Sequence, residues 1–376
     1  MKEGRSVRVS WDQVFAWRLR RQFVTPCGEI DVTDIVERMC GVQAQVTAAA
    51  DLAVALRRRT PEPGALLPEL ASGTLMKTWA MRGTLHALAP EMAAAVLSLI
   101  GSARTWEKPA WQRTFGASPA QVAALADAVP QVLDGIVLSR DELVDALVAD
   151  PAFHRLGEEL RSGWGALLKP LAWQGALCHG PAQGNRVTFT SPAHLIRGWR
   201  GLPDPDAAAP VAITGYLGAY GPATPEIFDA WLSRNSLKKT TVRRWFSELG
   251  DALTEVDIAG RRAYILTEHA DELEAVQPPR TSVQLLGAFD QYVLGPGTGD
   301  SELLPAAHRA RVSRAAGWIS PILVVDGRIA GTWEISGDDL SVATFDGSLP
   351  PTRDLKAAAE HVAEAMGHNG FAVHVA

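Results

Sequence analysis

Two glutamines one residue apart, Gln43 and Gln45, stand in the otherwise apolar run MCGVQAQVTAAADL, Met39 to Leu52. A pair of neutral amides can satisfy backbone groups, close a turn, or hold something small such as water. Composition favours the first of these. Geometry separates them further. In a continuous helix, residues two apart point about 200° apart and cannot serve one site; in an extended segment they share a face. Gly41 weakens any helix just before the pair. Thr47 is placed to cap a new helix over AAADLAVALRRR. The extended reading points both amides one way and turns Val42, Ala44 and Val46 into the core.

Other chemical groupings are poorer in pattern. The chain has 9 histidines and 42 acidic residues, yet no HExxH spacing and no GxSxG elbow. No metal and no cofactor is expected. GPGTGDS, Gly295 to Ser301, lacks the Lys-Ser/Thr of a phosphate loop and reads as a surface loop. Asp290 in AFDQY reads either as a catalytic carboxylate or as a hydrogen-bonded structural residue at a strand end. His86 in RGTLHAL falls on an expected strand, where a satisfied structural imidazole is the plain reading. Most of the 12 tryptophans lie among apolar neighbours at helical spacing and read as core, leaving one or two free to stack on a base.

The elements that must position these residues repeat along the chain. Between residues 211 and 267, GYLGAYGP reads as a short helix, and Thr224 with Pro225 opens a second bearing Ile227, Phe228, Trp231 and Leu232. TTVRRWFSELG is a third helix. LTEVDIAGRRAYIL then reads as a hairpin turning at Ala259-Gly260. Three helices and a hairpin make a winged helix. The same order recurs in SPAQVAALADAVPQVL, SRDELVDALVAD with its Ser139–Glu142 capping box, SGWGALLKPLAWQGAL and CHGPAQGNRVTFT. It recurs again at the N-terminus, ending in LMKTWAM and TLHALA around Arg82-Gly83. From Pro278 the pattern turns to strands, with an Asp326-Gly327 turn and a closing helix, TRDLKAAAEHVAEAM. DPDAAAP (Asp204–Pro210) and VQPPRT (Val276–Thr281) read as linkers. The expected fold class is α+β, mainly α with β hairpins: three tandem winged helices and a β-rich C-terminal region. The boundaries fall at 1–115, 116–205, 206–277 and 278–376.

A chain of 376 residues with 47% hydrophobic and 21% charged residues has ordinary globular composition. No run reaches the ~18 apolar residues of a membrane span. The N-terminus has no apolar signal core, and three scattered cysteines fit a reducing compartment. A cytoplasmic location is expected. The net charge of −6 speaks against nucleic acid only weakly, because a binding face needs local potential alone. SRNSLKKTTVRRW carries Arg234, Lys238, Lys239, Arg243 and Arg244 without an acid. Such a run is either a solvated face or a phosphate-binding surface.

Five strings carry a resemblance: GVQAQ, LMKTWAMRGTLHALAP, GYLGAYGPAT, LLGAFDQYVLG and GWISPILVVDGRIAGTW. In that order, across nearly the whole chain, they resemble the winged-helix DNA glycosylases of the AlkZ/YcaQ family. Gln at both motif positions is similar to the AlkZ branch, which unhooks DNA interstrand crosslinks and confers azinomycin resistance; the YcaQ branch has Asp at the second. The resemblance implies three winged helices bent into a C around duplex DNA and a catalytic role for Gln43 and Gln45. It implies hydrolysis of the N-glycosidic bond of N7-alkylguanine, with alkylated or crosslinked double-stranded DNA as partner. Where most members read DRS after the FD-x-Y segment, this chain has GPGTGDSELL.

That chemistry suits amides. N7 alkylation puts a positive charge on the base and makes it a good leaving group, so water needs little deprotonation as it adds to the sugar. Only seven lysines exist, none within thirty residues after Gln45, so an enzyme that leaves an abasic site without cutting the strand is expected. Candidate DNA contacts are Arg82, Lys238, Lys239, Arg243 and Arg244. A tethered base could not enter a deep pocket, which calls for an open site. Three units in one chain suggest a monomer. The rival readings are a winged-helix transcriptional regulator and a lesion-binding protein without catalysis.

Overall fold

The computed structural model describes residues 7–184, 186–278 and 282–375. Its helices begin where side chains can satisfy the free amides of a first turn. Ser139 and Glu142 form the expected capping box, as do Ser118 with Gln121 and Ser10 with Gln13. The Thr224 hydroxyl accepts from the Ile227 amide, with Pro225 as first helical residue. Phe228, Trp231 and Leu232 are buried from that helix, whereas Ile227 is exposed.

The hairpins turn where sequence places them. Leu253–Ile258 pairs with Arg261–Leu266 around Ala259 and Gly260, both left-handed. Met76–Trp79 pairs with Leu85–Leu88 around Arg82 and Gly83, again both left-handed. Cys178–His179 pairs with Thr188–Thr190, and Asn185 at its tip lies outside the described residues.

Two of these hairpins join. A six-stranded sheet runs Val42–Gln43, Leu85–Leu88, Met76–Trp79, Cys178–His179, Thr188–Thr190, Leu138–Ser139. Its link is the pairing of Lys77 with His179. The third hairpin takes an unforeseen partner: Val7–Val9 pairs in parallel with Leu253–Ile258. The strand-rich end forms a five-stranded sheet, to which Ala372–Val375 adds a final parallel strand. Phe15, Leu19 and Leu56 enter the core beneath this sheet, so the two ends of the chain share one apolar interior.

Three expectations need correction. DPDAAAP is no linker: Asp204 caps and Pro205 opens a helix, Pro205–Tyr220, of which GYLGAY is the end. A carboxylate cap, proline at the first position and an alanine run are a helix start, and Pro210, in the second turn, forgoes one intrahelical bond to the Asp206 carbonyl without ending the helix. SGWGALLKPLAW is helical only over Leu168–Trp173, because Gly165 is left-handed and Ser162–Gly165 forms a turn. GPGTGDS is only partly a surface loop, for Gly295 is packed against Tyr220 and Asp300 meets Arg18. Of VQPPRT, the part Pro279–Thr281 falls outside the described residues.

Candidate active site

The glutamine pair begins at a forced break in the helix. Helix Val32–Arg38 ends, and the chain reverses through left-handed Cys40 and Gly41. A Cβ on Gly41 would lie 2.6 Å from the Leu88 side chain and 2.9 Å from the Ala87 carbonyl, so only glycine fits. Val42–Gln43 then forms an edge strand on Leu85–Leu88. The extended geometry expected for the motif is present over Val42–Gln43 and ends before Gln45.

The two amides nonetheless meet different surroundings. Gln43 is buried and Gln45 exposed, because regular pairing stops at Gln43 and the chain bends at Gln45 and Val46. The Ala44 amide still bonds the Leu85 carbonyl, and Gln45 Oε1 stands 3.4 Å from the Leu85 amide in place of a ladder bond. Val42 and Ala44 are core, but Val46 is exposed. Thr47 is the first helical residue rather than the cap, and its hydroxyl is 3.2 Å from Lys77 Nζ.

Strand register lines up a row of polar residues. Gln43 is opposite His86, and His86 is opposite Thr78. Directly paired residues share a face. All three side chains are buried. Burial pushes the His86 imidazole down to about 3, with the nearby Arg82 charge adding to the effect. Nδ1 is 3.0 Å from the Thr84 carbonyl, so it carries the proton and donates, leaving Nε2 as a fixed acceptor. Nε2 and the Thr78 hydroxyl have no hydrogen-bond partner among the described residues. The histidine expected to be satisfied is satisfied on one nitrogen only.

Arg82 faces inward. Its Nη1 donates to the Trp231 and Leu294 carbonyls at 3.1 and 3.3 Å, and burial lowers the guanidinium to about 10. Asp290 caps the short helix Gln291–Leu294 and receives two 2.8 Å bonds from Arg57, both side chains being fully buried. Its geometry matches the structural alternative. Next to it, both polar atoms of buried Gln291 lack a partner among the described residues, as does Trp231 Nε1.

The basic run divides. Lys238 and Lys239 are exposed with no ion pair among the described residues. Arg243 is paired with Glu226, and Arg244 with Asp206 and Glu248. Among the other cations with no carboxylate partner in the described residues are Arg234, which the basic run contains, and Lys77 and Lys169, which sequence reading passed over. Lys77 and Lys169 are half-buried, and desolvation lowers both ammonium groups, helped at Lys169 by the Arg234 charge. No local signal marks a solitary lysine; only Arg234 belonged to a charge run. The lysine-free spacing after Gln45 was misleading, since the strand pairing brings Lys77 beside Thr47. Lys77 shares its row with Ala87 and Val42, on the face opposite Gln43.

No group of His, Cys, Asp and Glu able to hold a metal occurs among the described residues, and no described helix is long and apolar enough to cross a membrane. A well-formed concavity of about 300 Å³ is walled by Cys27, Leu56, Gln284 and His361, away from the motif.

Comparison with known proteins agrees with this architecture over nearly its whole length. The chain is 53% identical over 371 residues to an interstrand DNA cross-link repair glycosylase of Streptomyces sahachiroi, covering 98% of this chain and 100% of that one. The solved structure of the Streptomyces sahachiroi DNA glycosylase AlkZ superposes with a TM-score of 0.96 at 53% identity, again over 98% and 100% of the two chains. The model of the family described as DNA glycosylase AlkZ-like matches residues 36–369. With the Gln-Ala-Gln strand end inside that span, the chain belongs to the AlkZ-like family and is a DNA glycosylase.

Proposed function

We propose that this glycosylase removes cationic N7-alkylguanine from duplex DNA and unhooks interstrand crosslinks built on such bases, with Gln43 and Gln45 as its catalytic residues. The observation that carries the reading is the Gln43 amide: buried at a strand end, without a side-chain hydrogen bond among the described residues, in line with a fixed imidazole acceptor. The similarity to the Streptomyces sahachiroi cross-link repair glycosylase supports crosslink repair as the setting.

In the reaction the C1′–N9 bond breaks and its electron pair neutralises the charged purine. Water adds to C1′, one proton passes to solvent, and an abasic sugar remains. Gln43 Oε1 accepts from the attacking water and aims its lone pair at C1′. Gln45, its carbonyl held near the Leu85 amide, supports water or sugar with its free NH2. Neither amide accepts the proton outright, and none is required to, because the leaving group starts as a cation. A neutral purine would need stronger assistance, so selectivity for charged lesions follows. Three helix–hairpin units curved around the duplex would place the phosphates against Lys238, Lys239, Arg243 and Arg244, the two arginines exchanging carboxylate partners for phosphate. Arg82, buried and bonded to the Trp231 and Leu294 carbonyls, would meet phosphate only by giving up those bonds. The protein would act as a monomer with no cofactor, in the cytoplasm on DNA.

The test is incubation of purified protein with a duplex crosslinked through guanine N7. Separated strands bearing abasic sites are expected; intact crosslinks, or equal release of unmodified purines, overturn the reading.

A further inference from the structure

One aromatic residue stands apart from the core. Trp164 is 79% exposed, the most exposed large hydrophobic side chain among the described residues, and it has no ring or cation contact there. An indole carries roughly 150–250 Å² of contact surface and a flat face on which a base can stack.

Its setting is rigid. Ser162 to Gly165 forms a tight turn closed by a 3.0 Å hydrogen bond, with Gly163 and Trp164 at the corner. Arg140 donates to the Ser162 carbonyl from one side. On the other, left-handed Gly165 lies flat on the Trp79 ring, which a Cβ would approach to 2.6 Å. Lys169 then starts the next helical turn by bonding the Gly165 carbonyl at 2.9 Å. The indole is held out on a braced turn.

The same contacts tie that turn to the catalytic motif. Trp79 is directly opposite Leu85, and the Leu85 amide faces Gln45 Oε1. The elements that brace the turn also carry cations with no carboxylate partner among the described residues: Lys77 two positions along the Trp79 strand, and Lys169, whose amide bonds Gly165 and which feels the charge of the likewise unpaired Arg234. An unpartnered aromatic ring amid unneutralised positive charge fits a nucleobase stack flanked by phosphates.

We propose that Trp164 stacks into the duplex beside the lesion, propping the helix so that C1′ of the alkylated nucleotide faces Gln43. This rests on the glycosylase reading above and adds the residue that deforms the DNA. A wedge of this kind opens the stack without drawing the lesion into a pocket, as a base tethered to the opposite strand requires.

The experiment uses the full chain and a duplex with one N7-methylguanine flanked by 2-aminopurine. Binding of the parent changes 2-aminopurine emission. Trp164→Ala abolishes that change, lowers the single-turnover excision rate about tenfold and leaves the salt dependence of affinity unaltered, while Trp164→Phe restores most of both signals. An unchanged emission response in Trp164→Ala, or an excision rate within about twofold of the parent, overturns the proposal. If no form releases a base, the glycosylase reading fails by itself, and the emission arm still decides whether the indole meets the bases.

Discussion

Gln43 and His86 are Cα partners across two antiparallel strands, and the imidazole presents a buried acceptor nitrogen on the face they share. An acceptor fixed in this way, unpartnered among the described residues, is available to a donor that enters beside Gln43, such as a water. Gln43→Ala should therefore lower single-turnover excision of N7-methylguanine on the order of 100-fold, with DNA affinity nearly unchanged. Gln45→Ala should act in the same direction. His86→Phe, which keeps the ring and deletes the acceptor, should cost about tenfold. Parent rates in both glutamine variants would remove the motif from the chemistry.

The buried histidines make stability depend on pH. His86 and His179 are both pushed down to about 3 from the ordinary 6.5 of an imidazole, chiefly by burial. Between those values the unfolded chain binds protons that the folded chain does not, so stability falls as pH drops from about 6.5 toward 3. Each histidine withdraws up to about 1.4 kcal/mol per pH unit in that window. Thermal midpoints taken from about pH 8 to 4 should be level above 6.5 and decline below it. Replacing either histidine with glutamine should soften the decline.

Arg57 and Asp290 form a bidentate pair with both side chains fully buried, joining the helix after the motif to the start of the C-terminal sheet region. Removing one partner strands the other charge. Asp290→Ala should destabilise the fold by about 3–5 kcal/mol, seen in denaturant unfolding. If Asp290 were instead catalytic, the variant would unfold at the parent midpoint and lose rate alone.

Lys77 is the lysine that strand pairing carries to the motif, but it lies on the other face of the sheet from Gln43. Borohydride trapping with abasic or alkylated DNA should yield no covalent adduct. Lys77→Ala should weaken binding and leave the product an intact abasic strand. An adduct that disappears in this variant would show that the amine reaches C1′.

Ion pairing ranks the outer cations. Lys238 and Lys239 have no carboxylate partner among the described residues, whereas Arg243 and Arg244 must release theirs before meeting phosphate. Replacing both lysines with alanine should lower the slope of log affinity against log salt by about 0.9 per lost contact. The two arginine replacements should lower it less. Equal slopes across all variants would place DNA elsewhere.

Local order was legible wherever a short-range rule acts alone. Ser139 with Glu142, Thr224 with Pro225, Ala259-Gly260 and Arg82-Gly83 each set a helix start or a turn through contacts within four residues. Gly41 likewise announced that Gln43 and Gln45 leave the helix. The linker reading of Asp204–Pro210 fails because Asp204 caps and Pro205 opens a helix there.

The sequence determined the glutamine pair, its departure from the helix at Gly41 and the order of helices and hairpins, since these depend on residue type and spacing of two to four positions. Tertiary structure decided which partners those residues meet. Register across three strands put His86 and Thr78 in line with Gln43 and carried Lys77 to Thr47, while packing of the motif's helix against the C-terminal region set Arg57 on Asp290 across 233 residues. Sheet pairing and burial act between segments with no fixed separation along the chain, so neither the unpartnered imidazole nor the exposed Trp164 can be read from spacing alone.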